Sequence, residues 1–354
     1  MHTLIFRCAY VAIVILLSRQ AVHADVIYWL DHSGHKVRAV DLDGSDACII
    51  QIAHSYPQGL AVNISARTVY WTVHPRLVFA NWGGRGAVDL SQDVRSGMDI
   101  TLDESSGKIY WGENYIEDGV LSGRIKRSDL DGSNVEELLS GSEVVPLALE
   151  IDPVAEKVYW TDRGNGDFIK RANFDGSDIE TIIYTFSRSR GLAIDTIRGK
   201  LYWTFDGNGA IGVTGGINRS NLDGTGIESL WVGDGGAFPG LTLNLDRTKL
   251  YLGGGLFGSI FRMNVNGSDF EDLEIRYTGF VSDLAIVPIT PDLAGDLNWD
   301  GDINGDDIEP FIGVLLGSNA TDCNIKRADM NDDGVADTLD VHDFVACLLN
   351  ANCR

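Results

Sequence analysis

The chain has 354 residues, enough for one large domain and a small one. It is 44% hydrophobic and 22% charged, which is ordinary globular composition, and its net charge of -23 excludes nucleic acid as a partner because no basic patch can dominate such a field. The acid is uneven: residues 292–354 hold 14 Asp or Glu against 3 Lys or Arg, which makes either a solvated tail or a set of carboxylates gathered around cations.

Residues 1–24 read as a signal peptide. His2 and Arg7 give a weakly positive start, residues 8–17 form an apolar run too short for a spanning helix, and Val22-His23-Ala24 offers small residues for cleavage after Ala24. The alternative is an uncleaved anchor. No later stretch reaches ~18 apolar residues. The expectation is a secreted protein, extracellular or at the cell surface, with no membrane span after signal removal. Cys8 leaves with the signal and Cys48 suits a small core position. Cys323, Cys347 and Cys353 cluster near the end, where export permits a disulfide. Three cysteines allow three pairings; Cys323 with Cys347 is the expected one, with no bond at all as the alternative.

From residue 25 the chain repeats a phrase. Tyrosines 28, 70, 110, 159, 202 and 251 each open a Tyr-Trp or Tyr-Leu pair, and they stand 40 to 49 residues apart. Such a period marks a stacked or radial repeat. The clearest unit has four strand-like pieces at 146–152, 157–161, 168–172 and 180–184, rich in β-branched and aromatic residues and separated by Gly and Asp turns. Four strands in some 40 residues leave no room for a helix, so each unit is a propeller blade. Asp-Gly or Asn-Gly turns recur at Asp43-Gly44, Asp131-Gly132, Asp175-Gly176, Asp223-Gly224 and Asn266-Gly267, where tight hairpins demand positive φ. The second unit lacks this turn at Ala87-Val88-Asp89-Leu90, which predicts an irregular blade. The Tyr-Trp pairs are packing residues, since neighbouring blades cover both faces of a second strand.

The repeat region opens on a second strand and closes on an unpaired first-strand phrase, Ser282-Asp283-Leu284-Ala285-Ile286. Pairing the two builds one blade from both ends and seals a six-bladed ring without open edges.

On Tyr159-Trp160-Thr161-Asp162, Leu130-Asp131-Gly132 and Gly191-Leu192-Ala193-Ile194-Asp195, residues 25–288 resemble the low-density lipoprotein receptor class B repeat, the six-bladed YWTD propeller. The resemblance implies a disk that binds proteins on one face and has no catalysis of its own. Loops after second strands and before first strands would form that face, with Trp82, Tyr115, Arg163, Phe205 and Phe257 as candidate contacts for an unknown protein or glycan, because aromatics and Arg are enriched at interface hot spots. The alternative is a hydrolase of the lactonase or glycosidase kind, which would need a metal in the central channel. The inner ends of the first strands offer only Asp99 and Asp283, opposed by Arg190, and a hard divalent cation wants more oxygens. No nucleophile-elbow or zinc motif appears. The chain is therefore expected not to be an enzyme.

After a linker at 289–294, two acidic loops follow. Asp296, Asn298, Asp300, Asp302, Asn304 and Asp307 occupy positions 1, 3, 5, 7, 9 and 12 of the first, and Asp329, Asn331, Asp333, Val335, Asp337 and Asp340 occupy those positions in the second, 33 residues on. With Gly at position 6 this is calcium-loop spacing, except for Asp at position 12. Position 7 would ligate through its carbonyl and position 9 through water. Two unit charges ~4 Å apart repel by about 4 kcal/mol at an effective dielectric of ~20, so the loops are expected to need a cation to close. Each loop leads into an apolar stretch of helical spacing, 308–316 and 341–349. Two loop-helix units with Asp at position 12 resemble a type I dockerin over 295–354. That resemblance implies two Ca²⁺ sites and docking onto a cohesin-like scaffold, often in extracellular polysaccharide breakdown. Of the hydroxyl pair common at positions 10 and 11, only Thr338 is present, and the usual basic residue is replaced by Gly313 and Ala346. The sequence thus predicts a mainly β six-bladed propeller followed by a small α-helical calcium module, and a secreted, non-catalytic binding protein tethered by that module.

Overall fold

A computed structural model describes residues 24–41, 48–53, 55–84, 86–91, 94–185, 187–207, 215–233, 237–254, 258–276, 279–289, 294–298, 302–318 and 322–350. Residues 1–23 of the expected signal peptide, Cys8 included, lie outside these residues, as do Cys353, Phe257, Asp300 and the side chain of Cys48.

Among the described residues the strands form six four-stranded antiparallel sheets. The inner strands are Val281–Ile289, Pro57–Asn63, Gly97–Asp103, Pro146–Asp152, Ser189–Asp195 and Gly240–Leu243 for blades one to six. Each touches the next, and Val281–Ile289 touches Pro57–Asn63, so the ring is closed. Blade one joins both ends of the repeat region, because Val281–Ile289 pairs with Ala24–Asp31 in register from Ala24 opposite Ile289 to Asp31 opposite Val281. The phrase count required that pairing.

The Tyr-Trp pairs explain the blade-to-blade adhesion. Trp29, Trp71, Trp111, Trp160 and Trp203 are at most 2% exposed, and five of the six leading tyrosines are at most 1% exposed. An aromatic side chain hides roughly 150–250 Å², or about 4–6 kcal/mol at ~25 cal/mol per Å². A net hydrogen bond contributes about 1 kcal/mol, so burial dominates. What the threonine adds is position. Thr204 Oγ1 accepts from Gly191 N in its own blade and donates to Phe238 O in the next. Thr161 does the same between Ala148 N and Arg190 O, and Thr72 between Gly59 N and Met98 O. The hydroxyl is the one small group that both accepts and donates. The inner strands come so close that a Cβ on Gly59 would stand 2.5 Å from Asp99 Cα, which is why the first-strand phrase starts with glycine.

The Asp-Gly turns do two jobs. Gly132, Gly176, Gly224 and Gly267 have φ between +81° and +92°. Each also presses on the fourth strand of the preceding blade: a Cβ on Gly224 would meet Ile182 O at 2.1 Å and one on Gly176 would meet Leu138 O at 2.3 Å. A third-strand arginine completes the joint. Arg127, Arg171 and Arg219 donate to the carbonyls of Phe174, Leu222 and Val265 in the following blade, and pair with Glu136, Glu180 and Glu228 nine residues on. Blade two, without the Asp-Gly turn, has an outer strand of only four residues, Val88–Ser91.

The tail contains a short 3-10 turn at Gly305–Asp307 and helices α1 (Ile308–Leu315), α2 (Asp322–Ala328) and α3 (Asp340–Asn350). The apolar spacing predicted α1 and α3. It missed α2, whose seven residues carry no apolar stripe. Phe311 and Phe344 stack at 4.0 Å between centroids and form the tail core with Leu297, Val314 and Ala328. Helix α2 packs on the outer strand of blade one, Cys48–Ile52. Cys323 lies in the blade-one core with Tyr28, Ala39 and Ile50. Cys323 and Cys347 are both buried and both disulfide-bonded. No helix among the described residues is long and apolar enough to cross a membrane.

Candidate functional site

The first residues of the inner strands line a cavity of about 90 Å³ at the channel mouth, with Gln58, Met98, Asp99, Arg190, Phe280 and Asp283 among its walls. Asp99 of blade three and Asp283 of blade one lie close enough for each to perturb the other's carboxyl. Each also has its oxygens engaged by backbone. Asp99 accepts from Ile100 N and from Leu149 N of the next blade, and Asp283 accepts from Leu284 N and Leu60 N, all at 2.8 Å. Burial pushes Asp99 up to about 6. Burial first, and the charge of Asp99 second, push Asp283 well above the usual carboxylate range. Glu150 nearby is raised to about 8, again by burial first and Asp99 second. Burial thus favours the protonated form of both acids, and their bonds to Leu149 N and Leu60 N link neighbouring blades. Arg190 does not oppose these acids as the sequence implied; its Nε is held by Asp206 at 2.7 and 2.8 Å.

Tyr115, Arg163 and Phe205 lie at or just beyond the ends of second strands in blades three, four and five, on the same rim as the cavity. Arg163 is exposed. Tyr115 is half-buried, with the Arg95 and Arg124 guanidiniums 5.3 and 5.6 Å from its ring centroid. Trp82 requires correction. It follows the third strand of blade two, so it belongs to the opposite rim, and it is 4% exposed within the core between blades one and two. Its carbonyl accepts from Tyr28 Oη at 3.0 Å, so it is a packing residue.

In blades three and four the residue two places after the tryptophan forms a buried polar knot that the sequence reading left unassigned. Glu113 accepts from the Trp111 indole at 2.8 Å and pairs with Arg124 at 2.7 Å and Lys126 at 3.1 Å. Asp162 accepts from the Trp160 indole at 2.7 Å and from Val145 N and Gly164 N, with Lys170 at 3.5 Å. A buried indole N–H needs an acceptor, and a buried carboxylate needs donors. Tyr-Trp-x-acid supplies both, and that spacing was the available signal.

The two tail loops use their oxygens alike. Asp307 accepts from the backbone N–H of Leu297, Asn298 and Asn304. Asp340 accepts from Met330, Asn331 and Asp337. These are positions 2, 3 and 9 of each loop, and both acids are fully buried. The carboxylate at position 12 therefore ties the start and the middle of each loop to its end through their backbone N–H groups. Asp329 accepts from Asp333 N and Gly334 N, Asn331 from Asp333 N, Asp333 from Val335 N, and Asp337 from Leu339 N. Gly334 at position 6 has φ +89°. In the first loop Asn304 accepts from Asp306 N, Asp302 is exposed, and Asp296 is buried with Arg327 Nη1 3.2 Å from its carboxylate. Val335 and Thr338 are exposed. Among the described residues no three His, Cys, Asp or Glu side chains converge to hold a metal ion. The donor chemistry of the described loop residues nevertheless fits a hard cation, being all oxygen, and an oxygen that accepts one N–H, such as either oxygen of Asp329, retains a lone pair for a metal.

No family model matches the chain. It is 30% identical over 165 residues to the human low-density lipoprotein receptor-related protein 5-like protein, covering 44% of this chain and 62% of that one. It is 30% identical over 148 residues to Protein cueball of Drosophila erecta, covering 39% of this chain and 22% of that one. The matches therefore span less than two thirds of either relative. Among solved structures, a chain of a nidogen/laminin complex superposes with a TM-score of 0.63 at 19% identity, over 74% of this chain and 98% of that one. TolB from Acinetobacter baumannii gives 0.61 at 12% identity, over 75% and 67%. The chain folds as a six-bladed propeller with YWTD-type repeats.

Proposed function

We propose that this is a secreted, non-catalytic binding protein whose propeller recognises a protein or glycan ligand on the rim carrying Tyr115, Arg163 and Phe205, and whose tail attaches it to a cohesin-like scaffold in a calcium-dependent way, in an extracellular polysaccharide-degrading setting. The observation that carries the non-catalytic reading is the engagement of the channel acids. Among the described residues lining the cavity the acids are Asp99 and Asp283 alone, both already bonded to backbone N–H groups, and a hard catalytic cation takes roughly six or more oxygens, which favours the non-catalytic reading. The relatives with receptor-type and matrix-complex names agree with a binding role.

For the tail, Asp329, Asn331, Asp333, the Val335 carbonyl, Asp337 and Asp340 would hold one Ca²⁺, and Asp296, Asn298, Asp300, the Asp302 carbonyl, Asn304 and Asp307 the other. Bound calcium would neutralise the clustered carboxylates and fix the loops that lead into α1 and α3. Titration calorimetry of the full chain with Ca²⁺ is expected to show two sites, and a chelator is expected to lower the tail's melting temperature. Absence of heat with an unchanged melt refutes the calcium reading. Surface plasmon resonance against an isolated cohesin module, with and without chelator, tests the scaffold, and Arg163→Ala tests the rim once a ligand is captured.

A further inference from the structure

The polar knot of blades three and four is incomplete in blade two. Strand register places Trp71 where blade three has Trp111, Val73 where it has Glu113, Arg76 where it has Arg124, and Val78 where it has Lys126. The indole donor and the guanidinium are kept, and the carboxylate between them is gone. Trp71 is 2% exposed, and its indole N–H has no partner among the described residues. Among the described residues Arg76 is held through Nη1, by Asp89 at 3.3 and 3.4 Å, against 2.7 Å for Arg124 on Glu113. Beside them is a cavity of about 280 Å³ lined by Gln51, Trp71, Arg76, Val78, Ala87 and Asp89. It lies between the outer strand of blade one and blade two, away from the channel mouth.

A buried donor without an acceptor is costly, and an arginine fork with free nitrogens is the usual receiver of a carboxylate. We propose that this cavity binds a carboxylate supplied from outside the chain, which takes the place that Glu113 fills in blade three. The net charge of -23 opposes anions at long range, so recognition depends on the local pair and improves as salt screens the field.

The experiment follows the Trp71 indole N–H in ¹H–¹⁵N spectra of the full chain, assigned by Trp71→Phe, at physiological ionic strength. Two probes are titrated: acetate, and a capped tripeptide carrying one aspartate. A saturable shift of the Trp71 signal with both probes shows that a free carboxylate suffices, and a shift with the tripeptide alone assigns the site to an acidic side chain of a partner; either supports the proposal. Arg76→Gln is expected to weaken binding roughly tenfold or more, as loss of one charge-assisted bond does. Asp89→Asn removes the internal competitor and is expected to tighten it. Val73→Asp supplies an internal carboxylate, as Asp162 does in blade four, and is expected to abolish binding while the domain stays folded. No shift with either probe, or an equal shift in Arg76→Gln and Val73→Asp, overturns the proposal.

Discussion

At the scale of single residues, the YWTD phrase divides its labour. The aromatics supply area, and Thr204, Thr161 and Thr72 set the spacing between inner strands. Thr204→Val keeps the volume but orphans Gly191 N and Phe238 O, and is expected to cost about 1–3 kcal/mol in urea unfolding. A cost within error of zero removes the bolt role. The channel acids make a pH prediction. Their folded values lie above the ordinary carboxylate value of about 4, so the folded state binds protons more tightly than the unfolded one. Stability then falls as pH rises from about 4 towards about 8, the value for Glu150. The turn acids Asp131, Asp175 and Asp223, held low by bonds from Ser133, Ser177 and Thr225, act in the opposite sense and only at lower pH. Scanning calorimetry should find a higher melting temperature at pH 5.5 than at pH 8, with the difference reduced in Glu150→Gln. A flat profile refutes this.

At the scale of elements, the Asp-Gly turn is the joint between blades. Gly224→Ala meets positive φ and the Ile182 carbonyl together, and we expect a loss of roughly 1–3 kcal/mol. Gly199 also has positive φ but nothing within 4 Å of its Cβ, so Gly199→Ala should cost less; equal losses would deny the inter-blade role. This scale also shows what could be read from sequence. Strand count, turns, ring closure and helices α1 and α3 were legible because each depends on local spacing. Trp82 was misplaced because aromatic identity does not reveal which rim a loop occupies. Helix α2 was missed because its stability comes from docking on blade one. The use of Asp307 and Asp340 as backbone acceptors was hidden because calcium-loop spacing specifies oxygens without saying which donors meet them. The Arg-to-Glu spacing of nine, at Arg127, Arg171, Arg219 and Arg262, was present in the sequence and went unused.

At the scale of the molecule, closure rests on one seam. Ile286 is 4% exposed and packs with Ile27 and Trp29 across the pairing of Val281–Ile289 with Ala24–Asp31. Ile286→Asp buries an unpaired carboxylate there and is expected to open the ring, giving broad unfolding and oligomers through exposed strand edges on gel filtration. A monomer with wild-type cooperativity would show that the seam does not hold the disk.

Because the first and last strands of the wheel share one sheet, a chain emerging in order from the ribosome carries an unmated edge until residue 289 has been made. Five sheets can assemble early, but the latch pairs residues from Asp31 with Val281 to Ala24 with Ile289, far apart in the chain, which favours slow completion. Helix α2 then settles on that same blade. The tail thus follows the wheel in the chain, and it lands over the joint that was last to shut.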